Sequence, residues 1–393
     1  MIIYKDCIYN SIPTDFKYLT QQKKIPFKGK KLKTSYIINL MHDLIKKYIY
    51  TQKEQDNNLN LSSLILKSKY GQFYNYYIEY LCENKFIRLS SKYYVHKKTN
   101  TYKIDTNFVY NTIKYKNCDK ILVKKINNDN QKYITKMCDS PIDLDIREKL
   151  IYNLSMINID FSGAIEYLEK QKSFIEKEKY QKNLISIENI QSKDIFFKFD
   201  EYGRFHTNYT ILKKEIRKNY LTINKEMLGE IDIPNSQPLF FAILLKKDLK
   251  EINTDTKNFF NLVKKGLIYD DIVNNSTEIK TRTEAKKLTY KVLFGKNFRF
   301  NKKENKIFKS LYPSVYEYIL EYKEKKKNYK ELSYQLQRME SNFIFNTVIK
   351  EILEKYPDIL FFTVHDSIIF PLSQKEKIET IFQKHFKKLI SDL

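Results

Sequence analysis

Apolar positions recur along the chain with two different periods. From Tyr36 they fall at Ile37, Ile38, Leu40, Met41, Leu44, Ile45 and Tyr48, the three-and-four spacing of an amphipathic helix. His42-Asp43 lies inside that pattern and is expected on a surface helix. A polar loop at 55–60 follows, then a short helix starting near Leu61-Ser-Ser, a turn at Tyr70-Gly71 and a second helix from Phe73 to Leu81. Three extended runs come next, Phe86-Ile-Arg-Leu, Tyr93-Tyr-Val-His and Thr101-Tyr-Lys-Ile. Helix, turn, helix and a basic ribbon is the order of a winged helix. In that reading Tyr70-Gly71-Gln-Phe-Tyr opens the helix that enters a groove, and Lys97-Lys98 sit in the wing. The same order also suits a small α+β subdomain that touches no nucleic acid. Residues 106–200 show mostly helical periods, broken at Ser140-Pro141. Asp160 or Ser162 is placed to cap the helix that begins at Ala164.

The second half mixes the periods more sharply. Phe196-Phe-Lys-Phe-Asp200 is an aromatic strand that runs into a Gly203-Arg204 turn. Glu230-Ile-Asp232 ends a short strand, and the apolar run from Leu239 begins a helix after Pro234-Asn-Ser-Gln237-Pro. Arg282, Lys286, Tyr290 and Phe294 recur every fourth residue, with Gly295 next, so a helix would carry them on one stripe. Two cations and then two aromatics suit a triphosphate at one end and a base at the other. A solvated basic edge beside core aromatics has the same spacing. Near the end, Ile359-Leu-Phe-Phe-Thr-Val-His365-Asp366-Ser367-Ile-Ile-Phe-Pro371 is two apolar strands around a polar tip. A carboxylate at such a tip calls for a compensating charge, and a divalent cation is one. A plain surface hairpin is the other reading.

Composition narrows the partners. The chain has 393 residues, enough for two or three domains, and a net charge of +24. Part of that charge belongs to a composition rich in Lys, Asn, Ile and Tyr and poor in Gly and Pro, as AT-rich genomes encode. The remainder points to a polyanion, nucleic acid first. The 32 Tyr and 26 Phe fit base stacking as well as a core. Cys7, Cys82, Cys118 and Cys138 have neither metal-ligand spacing nor the look of a disulfide framework, which fits a reducing cytoplasm. No signal-peptide pattern, membrane-length apolar run or internal repeat stands out.

Taken together, the ordered motifs of residues 196–393 resemble the palm and fingers of the family A polymerases, which include repair-type DNA polymerases and single-subunit phage RNA polymerases. Asp232 matches the family's first metal-binding Asp. Arg282, Lys286, Tyr290, Phe294 and Gly295 match its fingers helix, His365-Asp366 its last motif, Gln337 its minor-groove Gln and Gly203-Arg204 its Gly-Arg turn. The resemblance implies a right-hand α/β (α+β) fold with palm, fingers and a helical thumb. With the winged-helix order read above and the thumb assigned by position, the chain divides into a winged-helix-like 1–110, a thumb-like 111–195 and a polymerase-like 196–393. The resemblance further implies two Mg²⁺ ions, or Mn²⁺, on Asp232 and Asp366. Arg282 and Lys286 would take the triphosphate, Tyr290 the incoming nucleoside, and Phe294 and Gly295 the template base. Arg204, Gln337 and His365 would position the primer-template.

Departures from the family pattern leave the product open. Gln237 stands where DNA polymerases place a Glu against the ribose 2′-hydroxyl, and Ser367 follows Asp366 as in the RNA polymerases. Phe294 lacks the hydroxyl of the usual Tyr. These implications favour a monomeric, exonuclease-free DNA polymerase of a phage, plasmid or other mobile element, acting on primer-template DNA with nucleoside triphosphates and contacting DNA again through residues 60–105. The alternatives are an RNA polymerase or primase-like enzyme, and a non-catalytic replication initiator that binds DNA.

Overall fold

The computed structural model describes residues 6–51, 59–91, 100–136, 141–249, 251–296, 303–391 and 393. It is a mixed helix-and-sheet fold in two compact units. The first comprises residues 1–138, 155–196 and 207–222, and the second 139–154, 197–206 and 223–393.

In the first unit, strand Ile8–Pro13 pairs antiparallel with Thr112–Asn117, Ile8 opposite Asn117 and Pro13 opposite Thr112. Helix Thr34–Thr51 packs on this ladder. It is the core of the unit rather than a surface helix: Ile37, Ile38, Leu40, Met41, Leu44 and Ile45 are all essentially inaccessible. Its His42-Asp43 pair is buried or half-buried and fully engaged, which corrects the surface expectation. The Nδ1 of His42 accepts the Ser11 amide at 2.8 Å, and burial holds the imidazole well below its usual pKa. Asp43 accepts from the Tyr70 hydroxyl and the Lys69 ammonium, each at 2.7 Å. His42 and Asp43 are tolerated in this core because both find partners.

The following segment forms strand Leu59–Asn60, helices Ser63–Tyr70 and Tyr74–Glu83, and strands Ile87–Ser91 and Thr101–Ile104. The three strands make one sheet with Thr101–Ile104 in the centre. Gly71 takes φ +84 at the turn between the helices, where a side chain would be strained. Tyr70 is not at a groove-facing helix start. It is 4% exposed, with its hydroxyl between Asn39 and Asp43. The wing residues Lys97 and Lys98 and the run from Tyr93 lie outside the described residues. Asp160 does cap helix Phe161–Lys170, accepting the Gly163 amide at 3.1 Å. Cys7 and Cys118, at the outer end of the first ladder, form a disulfide, so the expectation of four unpaired thiols is corrected for these two. Cys82 is free, and Cys138 lies outside the described residues.

The second unit contains a three-stranded antiparallel sheet in the order Leu228–Asp232, Ser367–Pro371, Phe362–Val364. Phe343 joins helix Ser236–Asp248 to helix Lys375–Ser391 through ring contacts with Phe240 and Phe382, both about 6.2 Å between centroids. A second helical group comprises Thr254–Lys264, Ile268–Asn275, Arg282–Phe294, Lys303–Leu311 and Pro313–Lys325. Its centre is Phe259 against Phe241 and Tyr312. Burying each such ring stabilises by roughly 1.5–3 kcal/mol. Helix Glu331–Ser341 continues as a π-helical stretch, Asn342–Ile349.

Candidate active site

Strand register brings the two predicted aspartates together. Asp232 is the last residue of its strand and pairs with Ser367. Ser367 also pairs with Val364, which leaves His365-Asp366 as a two-residue turn. Asp366 therefore immediately precedes the residue opposite Asp232, and paired strands lie about 4.8 Å apart. His365 is exposed with φ +55, a left-handed backbone position that the tight turn imposes. Burial pushes the Asp366 carboxyl up to about 7, and the charges of Glu340 and Asp232 add to this. Its own backbone amide and Lys286 act in the opposite direction. Ionising Asp366 thus costs folded-state free energy as pH rises from about 4 to 7. A cation beside it would reverse that cost.

Glu340 is the site residue that sequence reasoning missed. It is 3% exposed and is held by donors from two other segments. Arg204 Nη2 donates to Oε1 at 2.8 Å, while Ser236 Oγ and Gln237 Nε2 each donate to Oε2 at 2.5 Å. The signal was available in the sequence. Leu332, Leu336, Glu340 and Ile344 occupy one buried stripe, and a carboxylate in an apolar stripe needs partners. Gln237 accordingly faces Glu340, and it is 5% exposed. Arg204 Nε, Asn235 Nδ2 and Gln237 Oε1 are buried around this cradle without a hydrogen-bond partner. Such atoms call for water or a ligand group.

Asp200 organises the Gly-Arg turn. Its Oδ1 accepts the amides of Tyr202 and Arg204 at 3.0 and 2.8 Å, and its Oδ2 meets His206 Nε2 at 2.8 Å. Gly203 takes φ +82, and a Cβ there would lie 2.4 Å from Ser341 Oγ. The His206 and His365 rings stand 6.3 Å apart.

The predicted stripe forms on helix Arg282–Phe294, which starts with a Thr281–Glu284 capping box. Lys286 Nζ lies 5.5 Å from the Tyr290 ring centroid, and the Tyr290 and Phe294 centroids are 5.4 Å apart. Lys286 acts on Asp366 electrostatically, and the Tyr290 hydroxyl is raised by burial first and then by the Asp366 charge. The stripe and the hairpin tip therefore share one electrostatic environment. Arg282 sits differently: it pairs with Asp270 and donates to the Gly266 carbonyl at 3.1 Å. Gly295 is explained within the fold, since a Cβ would lie 2.4 Å from the Lys291 carbonyl oxygen. Gln337 donates to Ser333 Oγ at 2.9 Å.

Asp232 is exposed, and its carboxylate makes no side-chain hydrogen bond or ion pair among the described residues. No third His, Cys, Asp or Glu joins the two aspartates in a metal-sized group among the described residues. Two carboxylates, one of them with a raised pKa, fit a hard divalent cation that completes its shell with water and substrate phosphate.

No family model matches this chain, and no curated protein does. Among solved structures it is similar to the POL domain of Pol1 from M. smegmatis in complex with DNA primer-template and dNTP. The identity is 9%, the alignment covers 69% of this chain and 71% of that chain, and the TM-score is 0.41. With a likeness that remote, the functional reading rests on the residues themselves.

Proposed function

We propose that the chain catalyses template-directed nucleotidyl transfer on primer-template DNA, with deoxynucleoside triphosphates as substrates. The observation that carries this is the register that sets Asp232 beside the Asp366 tip, with Lys286 acting on the same carboxylate. Asp232 and Asp366 would hold divalent cations, Mg²⁺ or Mn²⁺, which supply Lewis acidity toward the primer 3′-hydroxyl and the triphosphate. The 3′-oxygen forms a bond to the α-phosphorus as the bond to pyrophosphate breaks, and the hydroxyl proton passes to solvent. Lys286, with no carboxylate partner among the described residues, offsets charge on the leaving phosphates. Arg282 joins it by exchanging Asp270 for phosphate. Tyr290 offers a face to the incoming nucleoside, and Phe294 lies beyond it toward the template base. Arg204, fixed by Glu340 and the Asp200 turn, is a positioning residue for the primer-template together with Gln337 and His365. In this reading the 59–104 segment is winged-helix-like and the helices within 111–195 serve as a thumb.

Asp366→Ala should abolish primer extension and leave duplex binding intact. Extension retained by that variant would sink the metal assignment and leave a DNA-binding initiator without this chemistry as the better reading. Supplying dNTPs or rNTPs, with and without primer, separates a DNA polymerase from an RNA polymerase or primase.

A further inference from the structure

A cavity of about 530 Å³ lies in the first unit, beside the paired strands Ile87–Ser91 and Thr101–Ile104. That is within the size range of small-ligand sites. Lys85, Arg88 and Lys103 line it together with Ile87 and Ile104. Arg88 and Lys103 are direct cross-strand partners, so their side chains leave the ribbon on the same face. Like charges directly opposite one another destabilise a strand pair. None of the three cations forms an ion pair among the described residues, and Glu79 and Glu83 on the preceding helix are both taken by Lys28. The one carboxylate in the lining, Asp105, uses Oδ1 to accept the Asn107 amide.

Arginine is also rare in this chain, occurring at seven positions. Among the described residues, Arg204, Arg282 and Arg338 are ion-paired and Arg217 donates to backbone carbonyls. Arg88 is an exposed guanidinium in a concave cationic site. The planar fork of arginine beside two ammonium groups matches phosphate oxygens. The +24 net charge indicates a polyanion rather than an isolated acidic side chain.

We propose that Lys85, Arg88 and Lys103 form a phosphate-binding site through which the first unit grips the backbone of a nucleic acid, independently of the Asp232–Asp366 pair. The inference rests on the nucleic-acid side of the function proposed above and not on its catalytic side. It also moves the DNA-facing surface off the helix Tyr74–Glu83, whose exposed face carries Asn75 and Glu79, and onto the ribbon.

The test is binding of the full chain to a labelled DNA duplex of about 20 base pairs, without divalent metal or nucleotide, from about 50 to 300 mM KCl. Each phosphate that the protein neutralises adds about 0.9 to the steepness of log K against log salt. The Lys85→Gln/Arg88→Gln/Lys103→Gln variant should therefore have a slope shallower by about two to three units and bind about tenfold more weakly at moderate salt. Arg88→Gln alone, an exposed single change with an unchanged melting temperature, should reduce the slope by about one unit. Lys23→Gln/Lys24→Gln/Lys31→Gln, three exposed lysines outside the cavity, should keep the wild-type slope. An equal reduction in that control, or an unchanged slope in the cavity variants, would overturn the proposal. So would displacement of the duplex by polyglutamate at the same charge concentration as by polyphosphate, or preferential binding of free pyrophosphate over duplex. Asp366→Ala should bind with the wild-type slope. If the wild-type chain extends no primer, the catalytic reading fails while this slope test stands.

Discussion

Removing the Glu340 carboxylate should destabilise the second unit more than any other single charge change in it. Glu340→Ala leaves the Arg204 guanidinium half-buried without its counter-charge, and strands the Ser236 hydroxyl and the Gln237 amide as buried donors. Breaking a buried pair by deleting one partner costs about 3–5 kcal/mol. The two neutral donors lie within the same cradle, so their cost overlaps that figure rather than adding to it in full. One term acts the other way. Glu340 raises the Asp366 carboxyl, so its loss makes Asp366 easier to ionise. Glu340→Gln keeps an acceptor oxygen and the side-chain shape but loses the charge, which should cost about 1–3 kcal/mol. Urea unfolding at neutral pH reads both values from the midpoint, provided that the slope with denaturant is unchanged. Combining Glu340→Leu with Arg204→Met removes both charges, and should be less destabilising than the sum of the single changes by at least about 2 kcal/mol. If both Glu340 variants lie within about 0.5 kcal/mol of wild type, or if the double change is merely additive, the cradle does not hold these segments together.

Three further outcomes follow from particular side chains. Lys323, buried and donating to the Val292 and Gly295 carbonyls at 2.8 and 3.0 Å, has its pKa pulled down to about 8 by burial. The unfolded chain then holds the proton more tightly, so wild type should gain stability relative to Lys323→Met as pH rises from about 8 to 10.5, seen as a changing melting-temperature difference. Glu351 is held down to about 2 by its hydrogen bonds to Lys355 and Lys384, with His385 adding to them. Its contribution is present above about 4.5 and lost as pH falls toward 2, so Glu351→Gln should flatten acid unfolding followed by circular dichroism in that window. Lys286→Gln should lower the rate of primer extension by about 10²–10³-fold with little change in duplex affinity, and an unaltered rate would remove it from the phosphate site.

Local patterns made much of the second unit legible. The 282–294 helix, the strand ending at Asp232 and the hairpin around His365-Asp366 follow from spacing and turn chemistry, because each is decided by neighbours in sequence. What the sequence concealed was non-local. Nothing near Gln237 announces that its amide bonds to a carboxylate 103 positions away. Asp200 reads as a strand-end polar residue until its hydrogen bonds to the Gly-Arg turn and His206 are seen. In the first unit, His42-Asp43 fits a solvated helix face equally well by period. Partners such as the Ser11 amide and the Tyr70 hydroxyl, 31 and 27 positions away, make burial tolerable. The Cys7–Cys118 bridge was hidden for the same reason, since its two ends lie 111 positions apart and meet only after the first and last strands of the ladder have paired.

The interleaving of the two units has a practical consequence for dissecting the protein. A fragment beginning at residue 196 would retain every predicted catalytic residue and still lack 139–154. That segment supplies the Asn153 amide to the Phe361 carbonyl at 2.8 Å and the Lys149 ammonium to the Pro357 carbonyl at 2.6 Å, both on the approach to the hairpin. Cutting at the apparent motif boundary would therefore remove part of the scaffold that seats Asp366. A synthesis-coupled fold faces the same constraint: the Asn153 amide must wait for a carbonyl 208 positions later in the chain before its partner exists. Complementation of the two pieces in trans, rather than expression of either alone, is the way to recover the second unit from a severed chain.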